Sequence, residues 1–262
     1  STICLVCHCH DIDWINCWII MTTFISAPFG NYLKFKNAVS VTGTWTYKPR
    51  PGLFGQVIKT LRYTRNGWRN KIGLRNRGIE YGIQRTNFNE VLSIAAIGQY
   101  DWINLESIVP ETQNVELNIS CPNLDVHQDT TDFKGFDAWP TIYRKWCIVK
   151  VPPMASYSLL DKIVKLGFTQ IHASNTLPTD KGGLSGAVLL PHTRRIIKYL
   201  KKEYDHVEVI AGGGIKEAWH AEFYKDLGAD HFSIGTACFN PFKVWRTVNE
   251  INGDPSIGVH QT

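Results

Sequence analysis

From Thr22 onward, short β-branched runs alternate with longer mixed stretches, and no other feature narrows the possible folds as far. Eight such runs stand at residues 22–27, 38–42, 91–97, 115–119, 147–151, 169–173, 207–211 and 231–234. The third, 91–97, is preferred over a competing extended stretch at 79–83. Helical patterns lie between the runs, among them 157–166 and 191–204. In the second of these Ile196, Ile197 and Leu200 form an apolar stripe, and Lys198, Lys201 and Lys202 a solvated face. No linker, repeat or low-complexity segment divides the chain. Eight strands with intervening helices in about 240 residues predict an α/β fold, a single (β/α)8 TIM barrel over 21–262, with its working residues at the C-terminal strand ends.

The 262-residue chain is 44% apolar and 19% charged, which sets aside the disordered, fibrous and membrane classes. Its formal charge of +5 comes from 28 basic and 23 acidic residues mixed along the sequence, so no polyanionic partner is required. The one basic cluster, 62–77, overlaps a motif described below and reads as a substrate-side loop with a solvated face rather than a nucleic-acid patch. Residues 1–20 differ in composition from the rest, and Met21 opens the ordinary globular stretch. They read as a leader, beside two minor alternatives. Cys4-Leu5-Val6-Cys7-His8 fits the pattern of covalent haem attachment, and Cys4, Cys7, Cys9, His8 and His10 have zinc-ligand chemistry. A second CxxC pair is missing, so no metal site is expected. The apolar stretch 14–24 is interrupted by Asn16 and falls short of the roughly 20 residues a membrane span needs. A basic n-region is also absent, and a cytoplasmic location is expected. Cys121, Cys147 and Cys238 are too scattered for a disulfide framework.

The residues that follow the strands carry the chemistry. After the seventh run comes Gly212-Gly213-Gly214-Ile215, and after the eighth Gly235-Thr236-Ala237. Glycines let backbone N–H groups approach an anion, and in barrels these two loops are the usual phosphate site. After the fourth run stands Glu116-Leu117-Asn118-Ile119-Ser120-Cys121-Pro122-Asn123, in which Asn118 alternates with apolar residues and Cys121 falls just past the strand end. A thiol with a free pKa near 8.5 needs only modest tuning to act as a base at neutral pH, and no histidine partner of the cysteine-protease kind is evident. Cys147 and Cys238, within or at the ends of strands, read as inert core residues. Lys150 sits in an otherwise apolar strand and must find a counter-charge or polar ligand. Asn70, Asn118, Asn123 and Asn175, each donor and acceptor, can match a flat ligand that alternates N–H and C=O groups.

These residues resemble the dihydroorotate dehydrogenase family, FMN-containing barrels of pyrimidine synthesis. The similarity runs from about Ile25 to Phe239 through SAPFG (26–30), TGTWTYKPRPG (42–52), NKIGLRN (70–76), ELNISCPN (116–123), VKVPP (149–153), NT and GGLSG (175–176 and 182–186), IAGGGI (210–215) and IGTA (234–237). The resemblance implies that Cys121 removes the C5 proton of dihydroorotate while hydride leaves C6 for the flavin. It implies further that Asn70, Asn118, Asn123, Asn175 and Thr176 hold the pyrimidine, and that Lys150 lies by the flavin N1/O2 edge. Gly213, Gly214, Gly235 and Thr236 would bind the FMN phosphate, with Ser26, Ala27 and Gly186 lining the flavin. A soluble enzyme, a homodimer in many relatives, follows from the same likeness.

Two departures matter. Family members carry a second lysine near the flavin, where this chain reads Thr42-Gly43-Thr44 and Phe29-Gly30-Asn31; Lys34 and Lys36 are the neighbouring cations. A cysteine base resembles the soluble class, whereas Gly43-Thr44 resembles the membrane-associated, quinone-using class. The thiol sits at the chemistry and decides for the class-1-like reading, with fumarate, NAD and a quinone left open as electron acceptors. Two alternatives stand beside it: a related dihydropyrimidine oxidoreductase acting on a dihydrouracil-type substrate, and a non-catalytic FMN-binding barrel.

Overall fold

A computed structural model describes residues 21–119 and 133–253. Eight parallel strands close into a barrel: β1 (Thr23–Ile25), β2 (Val39–Thr46), β5 (Val91–Ala95), β6 (Val115–Asn118), β7 (Cys147–Val151), β8 (Gln170–Ala173), β11 (Glu208–Gly212) and β12 (His231–Ile234). Each of the eight expected runs contributes one barrel strand. The competing stretch at 79–83 is instead the start of helix α2 (Ile79–Arg85), which packs on the barrel wall. The other helices are α1 (Leu53–Thr60), α3 (Asp101–Glu106), α4 (Tyr157–Lys165), α5 (Leu190–Glu203), α6 (Ala218–Asp226) and α7 (Pro241–Ile251).

Local signals explain the helix ends. Ser156 accepts the Leu159 N–H at the start of α4 at 3.2 Å, Asn240 accepts that of Lys243 ahead of Pro241 in α7, and Lys201 and Lys202 close α5 where the helix dipole is negative. In α5, Thr193, Ile196, Ile197 and Leu200 are buried, the stripe its periodicity predicts.

The remaining strands correct one expectation. The basic stretch 62–77, expected as a loop, contains an antiparallel hairpin of β3 (Arg62–Thr64) and β4 (Gly67–Asn70). This hairpin joins β9 (Leu177–Thr179) and β10 (Gly182–Ser185) in a four-stranded sheet ordered β3-β4-β10-β9. Because β9 and β10 follow directly from the C-terminal end of β8, this second sheet lies at the barrel mouth. Pairing of Asn70 with Gly183 brings Asn70 to the segment that carries Asn175 and Thr176. The arrangement was hidden because its strands are three or four residues long and come from two distant insertions, so neither shows a periodicity of its own.

Side-chain alternation sorts the barrel strands into two faces. Ile25, Leu92, Ile94, Leu117, Val149, Ile171 and Phe232 join the main core with helical residues such as Leu160 and Ile196. The opposite face points into the barrel, where Phe24, Val41, Val91, Ile148 and Ile210 pack with Trp146 in a separate apolar cluster. Two residues further along the same strands the inner face turns polar, at Ser26, Ser93, Lys150 and, on β12, Ser233. These are successive layers of the barrel interior, and the polar one faces the mouth.

Candidate active site

Strand register places the charged groups. Glu116 pairs with Ser93 across β5 and β6, Asn118 with Lys150 across β6 and β7, and Lys150 with His172 across β7 and β8. All point inward, and Glu116 meets three donors. His172 Nδ1 lies 2.7 Å and Ser93 Oγ 2.8 Å from its oxygens, and Lys150 Nζ lies 3.8 Å away. The buried lysine thus has the counter-charge its sequence position demanded. Burial alone would raise the Glu116 pKa, but the Lys150 charge and the His172 hydrogen bond outweigh it and bring it from 4.5 to about 2. For His172, burial and repulsion from Lys150 lower the pKa despite the Glu116 contact, so the ring is neutral and donates through Nδ1.

Above this cluster stand the asparagines. Asn118 Nδ2 donates to Thr44 Oγ1 at 3.1 Å, and Asn175 Nδ2 donates to Asn118 Oδ1 at 3.1 Å. The Thr176 backbone N–H donates in turn to Asn175 Oδ1 at 2.8 Å. Asn70, half-buried on β4, accepts the Ile72 N–H through its side chain. Asn118, Asn175 and Thr176 are thus joined at one mouth, and the β4–β10 pairing brings Asn70 to the same end of the barrel. Cys121 and Asn123 lie outside the described residues, as do Cys4, Cys7, Cys9, His8 and His10.

Across the mouth, the ends of β1, β11 and β12 form a small-residue cradle. Ser26 Oγ is 2.6 Å from Ser233 Oγ, and a Cβ placed on Gly235 would meet only the Ser26 side chain, at 3.9 Å. Gly213 and Gly214 both adopt positive φ, 88° and 81°, and a Cβ on Gly213 would lie 2.6 Å from that of Leu189. Only glycine fits there, and the Gly213 carbonyl is fixed by the Tyr224 hydroxyl at 2.7 Å. Thr236 opens a short 3-10 turn, Thr236–Phe239, beside the cradle. Gly186 reaches the same rim at the end of β10, also with positive φ.

At one of the two places expected for a second lysine, the backbone leaves no room for a side chain. Gly43 has φ 98°, and a Cβ on it would lie 2.5 Å from the Ser93 carbonyl oxygen, so this backbone admits no side chain at all. Asn31 holds it from the other side, accepting the Gly43 N–H at 3.0 Å. Lys34 does not substitute. It pairs with Glu90, which precedes β5 at the opposite end of the barrel, and Lys36 borders a cavity at that same end. Sequence reading missed Thr44, Ser93, Glu116 and His172. The argument made for Lys150, a polar group inside an apolar strand, applies equally to Glu116 and His172 and would have found both. Cys147 and Cys238 match the inert reading, for burial pushes both thiols up to about 12.

A closed parallel barrel with glycine turns after its last two strands, and a buried lysine beside Asn118 at the mouth, defines a (β/α)8 protein whose polar groups gather at the C-terminal strand ends. Known proteins narrow this class. Residues 26–252 match the family model described as dihydroorotate dehydrogenase, and the chain belongs to that family. Among curated relatives, the catalytic subunit of dihydroorotate dehydrogenase B (NAD(+)) from Bacteroides fragilis is 27% identical over 87% of both chains. The protein of the same name from Thermotoga petrophila is 28% identical over 81% of this chain and 88% of its own. A solved DHODH structure from Eimeria tenella superposes with a TM-score of 0.66 at 16% identity, covering 87% of this chain and 80% of that one, which supports the fold. No helix among the described residues is long and apolar enough to cross a membrane.

Proposed function

We propose that this chain oxidises dihydroorotate to orotate in pyrimidine biosynthesis, in the cytoplasm, with FMN as its bound cofactor. The observation that carries the reading is the bonded pair of Asn118 and Asn175, with Asn118 beside Lys150 on the neighbouring strand, in a chain that belongs to the dihydroorotate dehydrogenase family. The residues fit the cofactor. Gly213, Gly214, Gly235 and Thr236 would cradle its phosphate, Ser26, Ala27 and Gly186 would line its ring, and the buried Lys150 ammonium would supply positive charge for its N1/O2 edge. Bound there, FMN would supply the two-electron acceptor for the hydride that leaves C6 of the substrate.

The chain's own groups do the rest. Asn70, Asn118, Asn123, Asn175 and Thr176 hold the pyrimidine's amide edges, and Cys121 takes the C5 proton onto its sulfur. Glu116 keeps Lys150 in place as its counter-ion, and His172, neutral, orients that carboxylate. The curated relatives' name favours NAD(+) over fumarate or a quinone as the final oxidant, and their designation as catalytic subunits favours a partnered assembly over a plain homodimer.

Anaerobic addition of dihydroorotate to the purified yellow protein is expected to bleach the flavin, and NAD, fumarate and a quinone are then tried for reoxidation. Bleaching by dihydrouracil alone would move the assignment to a related dihydropyrimidine; colour without bleaching would make the chain a flavin-binding barrel only. Cys121→Ala is expected to slow bleaching by about 10²- to 10⁴-fold, the usual contribution of a positioned base. A normal rate in that variant would remove Cys121 from the role.

A further inference from the structure

We propose that Glu116 anchors a one-way hydrogen-bond relay through Ser93 and Thr44 that fixes the carboxamide orientation of Asn118 and Asn175. This makes Glu116, Ser93 and Thr44 positioning residues for the ligand, and it rests on the pyrimidine-binding reading of the two asparagines. The direction follows from counting protons. Glu116 is surrounded by donors, so each of its oxygens accepts, and the single Ser93 hydroxyl proton is spent on it at 2.8 Å. Ser93 Oγ, 3.0 Å from Thr44 Oγ1, must therefore accept from Thr44. Thr44, having given its only proton, must accept from Asn118 Nδ2 at 3.1 Å. Asn118 then presents Oδ1 to Asn175 Nδ2 at 3.1 Å, and Asn175 Oδ1 receives the Thr176 backbone N–H at 2.8 Å. One end is an acceptor-only carboxylate and the other a donor-only amide. Every link between has one consistent direction, and neither asparagine can flip without breaking two bonds.

Thr44 enters the relay through a break in strand alternation. Thr42 faces outward, where its hydroxyl meets that of Thr86 at 2.6 Å, and so does Trp45, whose ring lies edge-on to Tyr81 of α2. Two outward residues three apart violate a period of two, and the register shift between Gly43 and Trp45 against β5 absorbs the extra residue. Thr44 is thereby turned inward onto Ser93 and Asn118. The glycine that removes the family's lysine also makes this bulge possible, since its positive φ admits no Cβ.

The test uses the flavin-loaded protein labelled with ¹⁵N-asparagine, comparing Thr44→Val, Thr44→Ser and Ser93→Ala. The Asn118 and Asn175 side-chain NH₂ signals report the relay, and calorimetric titration with orotate reports the ligand. Thr44→Val and Ser93→Ala are expected to shift and broaden the Asn118 pair and to weaken orotate binding on the order of tenfold, one buried hydrogen bond's worth, with KM rising more than kcat falls. Thr44→Ser, which keeps the hydroxyl, stays within about twofold of the parent. Unchanged NH₂ signals in both Thr44→Val and Ser93→Ala would overturn the relay, as would a serine variant that behaves like the valine one. Should Thr44→Val fail to fold, Ser93→Ala decides alone. If the parent protein shows ordered NH₂ signals that the variants lose, yet binds no orotate, the relay stands and the pyrimidine reading with its positioning role falls.

Discussion

Two layers of the barrel interior, one residue pair apart on the same strands, follow opposite rules. Phe24, Val41, Val91, Ile148 and Ile210 fill the lower layer and are stabilised by removal of apolar surface from water, which needs no direction. Ser26, Ser93, Glu116, Lys150 and His172 fill the upper one, where each group must find a partner in a fixed geometry. The step from Ile148 to Lys150 crosses from one regime to the other. The lower layer tolerates exchange of similar volumes, whereas the upper layer is a set of interlocked polar contacts in which loss of one member strands the others.

Breaking the upper layer should give the largest effect. Lys150→Met leaves Glu116 buried without its cation and is expected to cost about 3–5 kcal/mol, read as a lowered urea midpoint. Joining it to Glu116→Leu removes the uncompensated charge, so part of that stability should return although His172 and Ser93 lose their acceptor, while flavin reduction does not. A double variant as unstable as the single one would show that the layer is not held by charge pairing. Acid sharpens the same contrast. Glu116 has a folded pKa of about 2 against an ordinary 4.5, so its contribution is complete above about pH 4.5 and is lost as pH falls toward 2. An acid-unfolding series should show this loss in the parent and not in the double variant. In the lower layer, Ile210→Val should cost only about 0.5–1.5 kcal/mol, with no change in pH dependence. A larger loss, or one that varies with pH, would mean that the two layers are coupled.

The site was legible in proportion to how locally its residues are determined. Gly213, Gly214, Gly235 and Thr236 belong to loops whose place at the mouth follows from strand order, and Asn118, Asn175 and Lys150 betray themselves as polar residues in or just after apolar strands. Asn70 could be placed at the mouth only by resemblance, because the hairpin that carries it pairs with a segment more than a hundred residues later. Thr44 gave no signal. In a regular strand it would face the helices with Thr42, and only the bulge opposite β5 reverses it.

The sequence by itself determined the barrel. Alternation and β-branching are local properties, repeated eight times, and a parallel sheet of eight such units closes on itself. It also determined which residue types stand at the mouth. The tertiary structure alone decided how they join: that Lys150 is answered by Glu116, that His172 is neutral, and that Thr44 meets Asn118 across 74 positions of sequence. Those outcomes depend on register and on a single bulge, and register is set by the summed fit of every strand to its neighbours.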